Sequence, residues 1–463
     1  MKGVVIKKKA YDNHSPWIHQ LEKVRKPRDI LKKDIKTDMA IVGAGIAGIC
    51  TAYFILRDTK NKVVVVEANK VAHGATGHNA GQIVSYFEKP FSKIVEEYGL
   101  ELAARGQEEI LSGWELLEQV YSESEIKTYF SQFIGYAGCS TLKQLNSHLE
   151  NKYLRNKANI SIEKVFVSEK APFLKEIPKK YDGLYELVPH KKVLEILETK
   201  SSLYHAALAS KKGCLNSALF CEELISYLLY KYKDRISLYE FTPIDKVELY
   251  GDHVKLSTRK GKIINGKKVV LCTNGFQKLK INNKSGKNID TSFHDFILGV
   301  VGYMAAYISP QTGTKSNAIS YFPKSNNDAS DAYFYLTKRE FSDKMESGNL
   351  ISVGGPEVTL DNTIEYIRDK PYFEKHEKKI DKFLKKNYIH APKKINYKYH
   401  WHGLMGYTKS ELRAIGPHPY NKNLLYNLGC NGVGILPSIY GGYKIARFIT
   451  GIKMPKSIFD VGV

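Results

Sequence analysis

Three tryptophans, six cysteines and six methionines in 463 residues narrow the choice of architecture. The cysteines (Cys50, Cys139, Cys214, Cys221, Cys272 and Cys430) are scattered and never spaced CxxC. That excludes a disulfide framework and a zinc site as expectations, and suits reduced thiols in a cytoplasmic protein. No apolar run reaches the roughly 18 residues a spanning helix needs, so no transmembrane segment is expected. Lys7, Lys8 and Lys9 are not followed by an apolar stretch, which argues against a secretory signal. Acidic residues are scarce beside basic ones, 48 Asp+Glu against 70 Lys+Arg, for a formal charge of +22. Such an excess could suit RNA, an anionic membrane surface or acidic ligands. The lysines are spread along the chain, however, and spread charge carries no binding geometry, so nucleic acid is not the expected partner. What is present, 43% hydrophobic and 25% charged residues, is ordinary for a globular protein. The length suits about two or three domain-sized units.

The chain is organised around the stretch 38–67, a strand–turn–helix–strand unit built to hold a dinucleotide. Met39, Ala40, Ile41 and Val42 predict a buried parallel strand. Gly43-Ala44-Gly45-Ile46-Ala47-Gly48 is a GxGxxG turn, an apolar helix follows over 49–56, and Val63 to Val66 form a second strand. In such a unit Gly43 allows the tight turn, Gly45 lets backbone approach a pyrophosphate, and Gly48 lets helix and strand pack closely. The helix N-terminus offers free N–H groups and a positive dipole end to the phosphates. Glu67, nineteen positions after Gly48 (67 − 48), can accept both ribose hydroxyls and would repel a 2′-phosphate.

Taken in order, residues 1–35 are polar and basic, with Ser15-Pro16-Trp17-Ile18 the single anchor-like spot, and read as an arm on the surface of the first domain. The small-residue stretch 71–82 lets a cofactor lie against backbone. A helical pattern fills 90–122. A strand at 133–137, a helix at 142–154 and a strand near 162–167 suggest a second, substrate-facing layer. A helix over 219–232 and strands at 236–239, 246–249, 254–257 and 268–272 follow. Thr273-Asn274-Gly275 is either a turn beside the cofactor or a plain turn. Aromatic-rich strands are predicted at 298–308 and 332–336, a strand at 350–353, a charged exposed helix at 370–386, a strand at 395–401 and a final helix at 437–450. Gly429-Cys430-Asn431-Gly432-Val433-Gly434-Ile435 repeats the opening logic, with glycines where a cofactor and a helix N-terminus meet.

These pieces together resemble the D-amino-acid-oxidase superfamily of flavoproteins, nearest the γ-glutamylputrescine oxidoreductase and glycine/sarcosine oxidase branch. The shared motifs are GAGIAG with Glu67, GATGHNAGQ, VVLCTNG, WHGLMGYT and GCNGVGI, in the family's order from about Lys36 to Lys453. The resemblance implies an α/β fold: a Rossmann-like FAD-binding domain, discontinuous in sequence (36–125, 205–290 and 398–463), and an α+β substrate domain with a mostly antiparallel sheet (126–204 and 291–397). It implies FAD, with Gly43, Gly45, Ile46, Ala47, Gly48, Glu67 and Ala68 holding the ADP half. Gly74, Ala75, Thr76, Gly77, Asn79, Gly81 and Gln82 would line the pyrophosphate and ring side. Val247 matches the adenine-side backbone contact. Thr273, Asn274, Gly275, Gly403 and the turn of Gly432, Val433, Gly434 and Ile435 would approach the ring and ribityl chain. The implied activity is oxidation of the C–N bond of a small amine or amino acid, by hydride transfer to flavin N5 and hydrolysis of the imine. Oxygen or a quinone would be the electron acceptor.

Two departures bear on the substrate. The family's tail often reads T-x-D-x-x-P-x-I-G, where this chain has Ser410 and Arg413 in place of the aspartate and proline. The aromatic strand that often carries an arginine reads Tyr333-Phe334-Tyr335-Leu336-Thr337. Arg339 and Arg413 are the remaining candidates to bind a carboxylate, each against a plain surface role, and Tyr303 and Tyr335 are pocket candidates against sheet packing. His78 and His402 read as hydrogen-bonded structural histidines. The competing readings are flavin-dependent oxidation of a modified tRNA base, and a non-catalytic flavin-stabilised binding protein.

Overall fold

Four apolar strands, Ile35–Val42, Val63–Val66, Ile236–Tyr239 and Ile263–Leu271, lie parallel and side by side. In the computed structural model, which describes residues 10–310, 316–323, 333–343 and 346–461, they form one side of a nine-stranded sheet, with Ile236–Tyr239 at its edge. Alternate side chains feed two different cores. Met39, Ile41, Val63 and Val65 pack with the helices, while Ala40, Val42, Val64 and Val66 pack with the strands Ile244–Leu249 and Val254–Thr258. A sheet buried on both faces suits the unbroken β-branched run of Val63–Val66. The strand Asn421–Leu428, some 380 residues downstream of the first, pairs with Ile263–Leu271 in the same sheet.

A second sheet of ten strands is mostly antiparallel. The strands Ala206–Leu215 and Tyr399–Thr408 belong to it, so the segments expected at 205–290 and 398–463 each begin in the other layer. Among the described residues no helix is long and apolar enough to cross a membrane.

Two expectations are corrected here. The N-terminal arm does not merely lie on a surface. Ser15 caps a helix, Pro16–Glu22, whose Trp17 and Leu21 are completely buried in the main core, and Ala10–Tyr11 pairs with Tyr372–Phe373. Residues 1–9 fall outside the described part. The charged helix runs over Glu374–Asn387, later than expected, because Tyr372 and Phe373 are taken up in that short strand. It is not simply exposed, since Ile380, Phe383 and Leu384 are buried against Tyr321 and Leu336. The first residue of the strand expected at 332–336, Ala332, also lies outside the described residues.

Candidate active site

The helix Ile46–Asp58 begins at Gly45, directly after the first strand. Gly43 turns the chain with φ +106°, and a Cβ there would lie 2.7 Å from the Cys272 carbonyl oxygen. A Cβ on Gly48 would collide with the Gly43 carbonyl, so helix and strand meet backbone to backbone. Glu67 closes the unit: the Ala44 N–H donates to Oε2 (2.8 Å) and the Asn69 N–H to Oε1 (2.9 Å). Each oxygen keeps lone pairs for a further donor. Burial pushes this carboxyl upward in pKa while the two N–H groups pull it back.

The loop after Glu67 is fixed from several sides. Thr76 Oγ1 accepts the Ile46 N–H at 3.0 Å, bringing its hydroxyl to the helix's positive end. Asn79 Nδ2 donates to Thr76 O and Ser217 Oγ, and Trp17 Nε1 donates to Asn79 O at 2.7 Å. His78 Nδ1 donates to Gly74 O, and burial pulls its pKa down to about 3, so it is neutral at pH 7.

The last helix, Ile435–Ile449, crosses the first so closely that a Cβ on Gly442 would sit 2.8 Å from the Thr51 amide nitrogen. Asn427 fastens the pair, with Nδ2 donating to Thr51 Oγ1 (3.1 Å) and Ser438 O (3.0 Å). Gly45 and Gly434, at the starts of these two helices, line one cleft of about 1070 Å³. Two positive helix ends therefore face a common space.

Away from Glu67 the cleft widens under the ten-stranded sheet. Paired residues Gly403, Gly302 and Glu357 from three adjacent strands line it, as do Met405 and Thr359 two positions along. Tyr86, Tyr333, Tyr335 and Tyr407 wall this chamber, and the Tyr333 hydroxyl donates to Glu88 Oε1 at 2.9 Å. Burial raises the pKa of each of these phenols, so all stay protonated at neutral pH.

The comparisons with known proteins agree with this geometry. The family model described as "DAO: FAD dependent oxidoreductase" matches residues 38–448. The chain belongs to that family. It is 31% identical to the γ-glutamylputrescine oxidoreductase of Escherichia coli (strain K12) over 93 residues, 20% of this chain and 22% of that relative. Of solved structures, the L-proline dehydrogenase from P. horikoshii superposes with a TM-score of 0.66 at 17% identity, covering 92% of this chain and 97% of that one. The glycine oxidase from Bacillus cereus ATCC 14579 gives 0.63 at 19% identity, covering 90% and 96%. The fold is thus shared nearly end to end.

FAD is the cofactor of this DAO-family chain, and the cleft suits it. Three buried polar atoms of cleft-lining residues have no partner among the described residues: His73 Nε2, Thr273 Oγ1 and Arg368 Nη1. Donors and acceptors of this kind are what a dinucleotide would satisfy. Of the anticipated flavin contacts, Gly43, Gly45, Ile46, Ala47, Glu67, Ala68, Gly74, Ala75, Thr76, Asn79, Gly81, Gln82, Thr273, Asn274, Gly403, Gly432, Val433, Gly434 and Ile435 line the cleft. Gly48, Gly77 and Gly275 stand behind its wall; Gly77 packs on Ile18 and Ala72 and Gly275 on Leu404 and Gly406.

Other expectations are corrected. Val247 lies fully buried inside its strand, and the same strand meets the cleft three residues earlier, at Ile244, beside Thr242 and Pro243. Tyr303 is on the opposite face of its strand from the cleft, stacked on His376 with ring centres 3.6 Å apart, as alternation from Gly302 requires. Arg413 borders the cleft, but its guanidinium is committed: Nε donates to Asn427 Oδ1 (2.6 Å), Nη2 to Asn427 O (2.9 Å) and Nη1 to Gly429 O (3.3 Å). It supports the flavin-side loop rather than meeting a substrate. Arg339 lies over the Trp17 ring, 4.4 Å from its centre, and does not line the cleft. His402, by contrast, is hydrogen-bonded as expected, its Nε2 donating to Lys370 O at 2.7 Å.

Sequence reasoning missed Arg368, Glu88, Glu357 and Ile244. Arg368 follows the Tyr366 turn, held there by Asn13 Nδ2 donating to the Arg368 carbonyl at 2.7 Å. Its charge is felt by Glu67, His73 and His78, on the nucleotide side of the cleft. No local motif announces any of the four.

Proposed function

We propose that this chain oxidises the C–N bond of a small amine or amino acid, releasing an imine that water hydrolyses. The observation that supports it most is the continuity of the cleft: it runs from the ribose-binding Glu67, past both helix starts, into a tyrosine-walled chamber large enough for a small molecule. FAD held along it would supply the two-electron acceptor for the hydride on the carbon next to nitrogen.

The remaining work falls to the chain. Gly302 presents bare backbone to the chamber, so a substrate carbon can approach closely there, while Gly403 lets its strand pack against the His78 carbonyl. Tyr335, whose hydroxyl would lie 3.9 Å from a Cβ at Gly302, offers a donor for orientation. The apolar side chains of Val300 and Met304, on the same strand face as Gly302, exclude water while the substrate is held. Of the three residues expected to position substrate, Tyr335 keeps that role in this reading, and Tyr303 and Arg413 do not.

The purified protein should be yellow, and anaerobic mixing with a panel of polyamines, N-methyl amino acids and D-amino acids should bleach it. A protein that holds FAD and is reduced by none of them would overturn the reading. Admitting oxygen or a quinone to the reduced protein distinguishes the two acceptors by rate.

A further inference from the structure

The substrate chamber is acidic where an amino-acid site would be basic. Glu88 approaches the flavin-side loop, because a Cβ on Gly432 would lie 3.2 Å from its carboxyl carbon. Glu357 faces the same chamber from the sheet, on the row it shares with Gly302 and Gly403. Glu357 makes no hydrogen bond or ion pair with any described residue, so its carboxylate is open to a ligand. Glu357 is exposed to solvent, and the neighbouring protein together with the Glu88 charge raises its pKa to about 7. Both arginines that could have met a carboxylate are engaged elsewhere.

Lys89 and Arg413 also line the cleft, but Lys89 is paired with Glu97 at 2.6 Å and Arg413 donates to Asn427 and Gly429. Lys212 is buried behind Tyr86, with its ammonium 3.4 Å from the Tyr136 carbonyl, and burial lowers its pKa to about 8. It does not line the chamber. Two carboxyl groups beside neutral tyrosines, with Lys89 already paired, Arg413 bonded to Asn427 and the Gly429 carbonyl, and Lys212 outside the cleft, favour a bound cation. Carboxylates supply charge-assisted hydrogen bonds, and tyrosine faces attract ammonium groups.

We propose that this chamber selects amines carrying a second positive charge, with Glu88 and Glu357 holding the ammonium that is not oxidised and the tyrosines enclosing it. The substrate class is therefore an α,ω-diamine or longer polyamine rather than a zwitterionic amino acid. This rests on the amine-oxidation reading above, and deepens it by naming what the chamber recognises.

The test uses the FAD-loaded full chain. Butane-1,4-diamine and pentane-1,5-diamine are compared with butylamine and pentylamine, and with glycine, L-proline and D-alanine, by anaerobic flavin bleaching. A non-oxidisable dication, butane-1,4-bis(trimethylammonium), is titrated in parallel and its binding read from the shift in the flavin spectrum. Diamines are expected to have KM values roughly 10- to 100-fold below those of the matched monoamines, the effect of one charged hydrogen-bonding pair. Glu357→Gln and Glu88→Gln should close that gap and weaken binding of the dication by a similar factor.

Monoamines or zwitterions performing as well as diamines in the unaltered protein would sink the proposal while leaving amine oxidation intact, and this needs no variant to fold. Carboxylate-dependent binding of the dication without bleaching by any amine would do the reverse, sparing the binding assignment and removing the catalytic one. Unchanged diamine KM in both variants would also overturn it.

Discussion

Replacing Trp17 with alanine tests whether the N-terminal arm is part of the flavin site. The indole is fully buried; its edge would sit 2.7 Å from a Cβ on Gly81, its Nε1 donates to Asn79 O at 2.7 Å, and Arg339 lies over its face. Emptying such a site costs about 3–5 kcal/mol in lost transfer energy and cavity. The orphaned Asn79 carbonyl adds about 1 kcal/mol, softened because Trp401 Nε1 also reaches it at 3.3 Å. Trp17→Phe keeps most of the packing and loses the hydrogen bond, so it should cost only about 1–2 kcal/mol. The assay is urea unfolding of both variants with and without FAD, alongside a fluorescence titration of FAD. The alanine variant should lose FAD affinity as well as stability, because Asn79 and Gly81 line the cleft. An alanine variant within about 1 kcal/mol of the phenylalanine variant, with FAD binding unchanged, would refute the argument.

Other perturbations address the nucleotide end and the histidines. Glu67→Ala removes the acceptor of the Ala44 and Asn69 N–H groups as well as the ribose partner, and FAD should bind roughly 10- to 100-fold more weakly by titration; equal affinity would remove Glu67 from the site. Arg368→Met should leave the apo protein within about 0.5 kcal/mol of its starting stability, since its ion pair with Asp369 is exposed, yet weaken FAD binding about tenfold or more. Equal losses in apo and FAD-bound forms would mean a packing role instead. Burial lowers His73, His148 and His376 to about 4 and His78 to about 3, all below the ordinary 6.5. The unfolded chain therefore takes up protons first, and stability should fall progressively as pH drops from 6.5 towards 4. Urea midpoints across that range measure it, and His78→Gln should flatten the slope if the sign is right.

Local chemistry was readable in the chain and long-range company was not. The strand, turn and helix at 35–58 and the acid at 67 are neighbours in sequence, so pattern and spacing reveal them. Trp17 is anchored by Asn79 and Gly81, more than sixty positions away, and a seven-residue helix has no periodicity long enough to betray a buried face. Val247 and Ile244 are both apolar residues of one strand, and only the direction in which that strand enters the sheet decides which meets the cleft. Tyr303 failed by a single step of alternation. Arg413 failed because its partner, Asn427, comes from the adjacent strand, an arrangement no motif records. Glu88 and Glu357 are 269 positions apart (357 − 88), and their shared chamber exists only once both sheets have formed.

The two helix starts at Gly45 and Gly434 stand 389 positions apart (434 − 45), yet Asn427 ties their helices into one packed pair. A ribosome delivers the chain from its N-terminus, so the nascent protein carries half a nucleotide cradle until the second helix start has been made. The strand Asn421–Leu428 must then insert beside Ile263–Leu271 before the second helix can dock. Flavin capture therefore waits until the helix Ile435–Ile449 has been made and docked, and a chain stopped short of Asn421 would emerge colourless however well its first two hundred residues had folded.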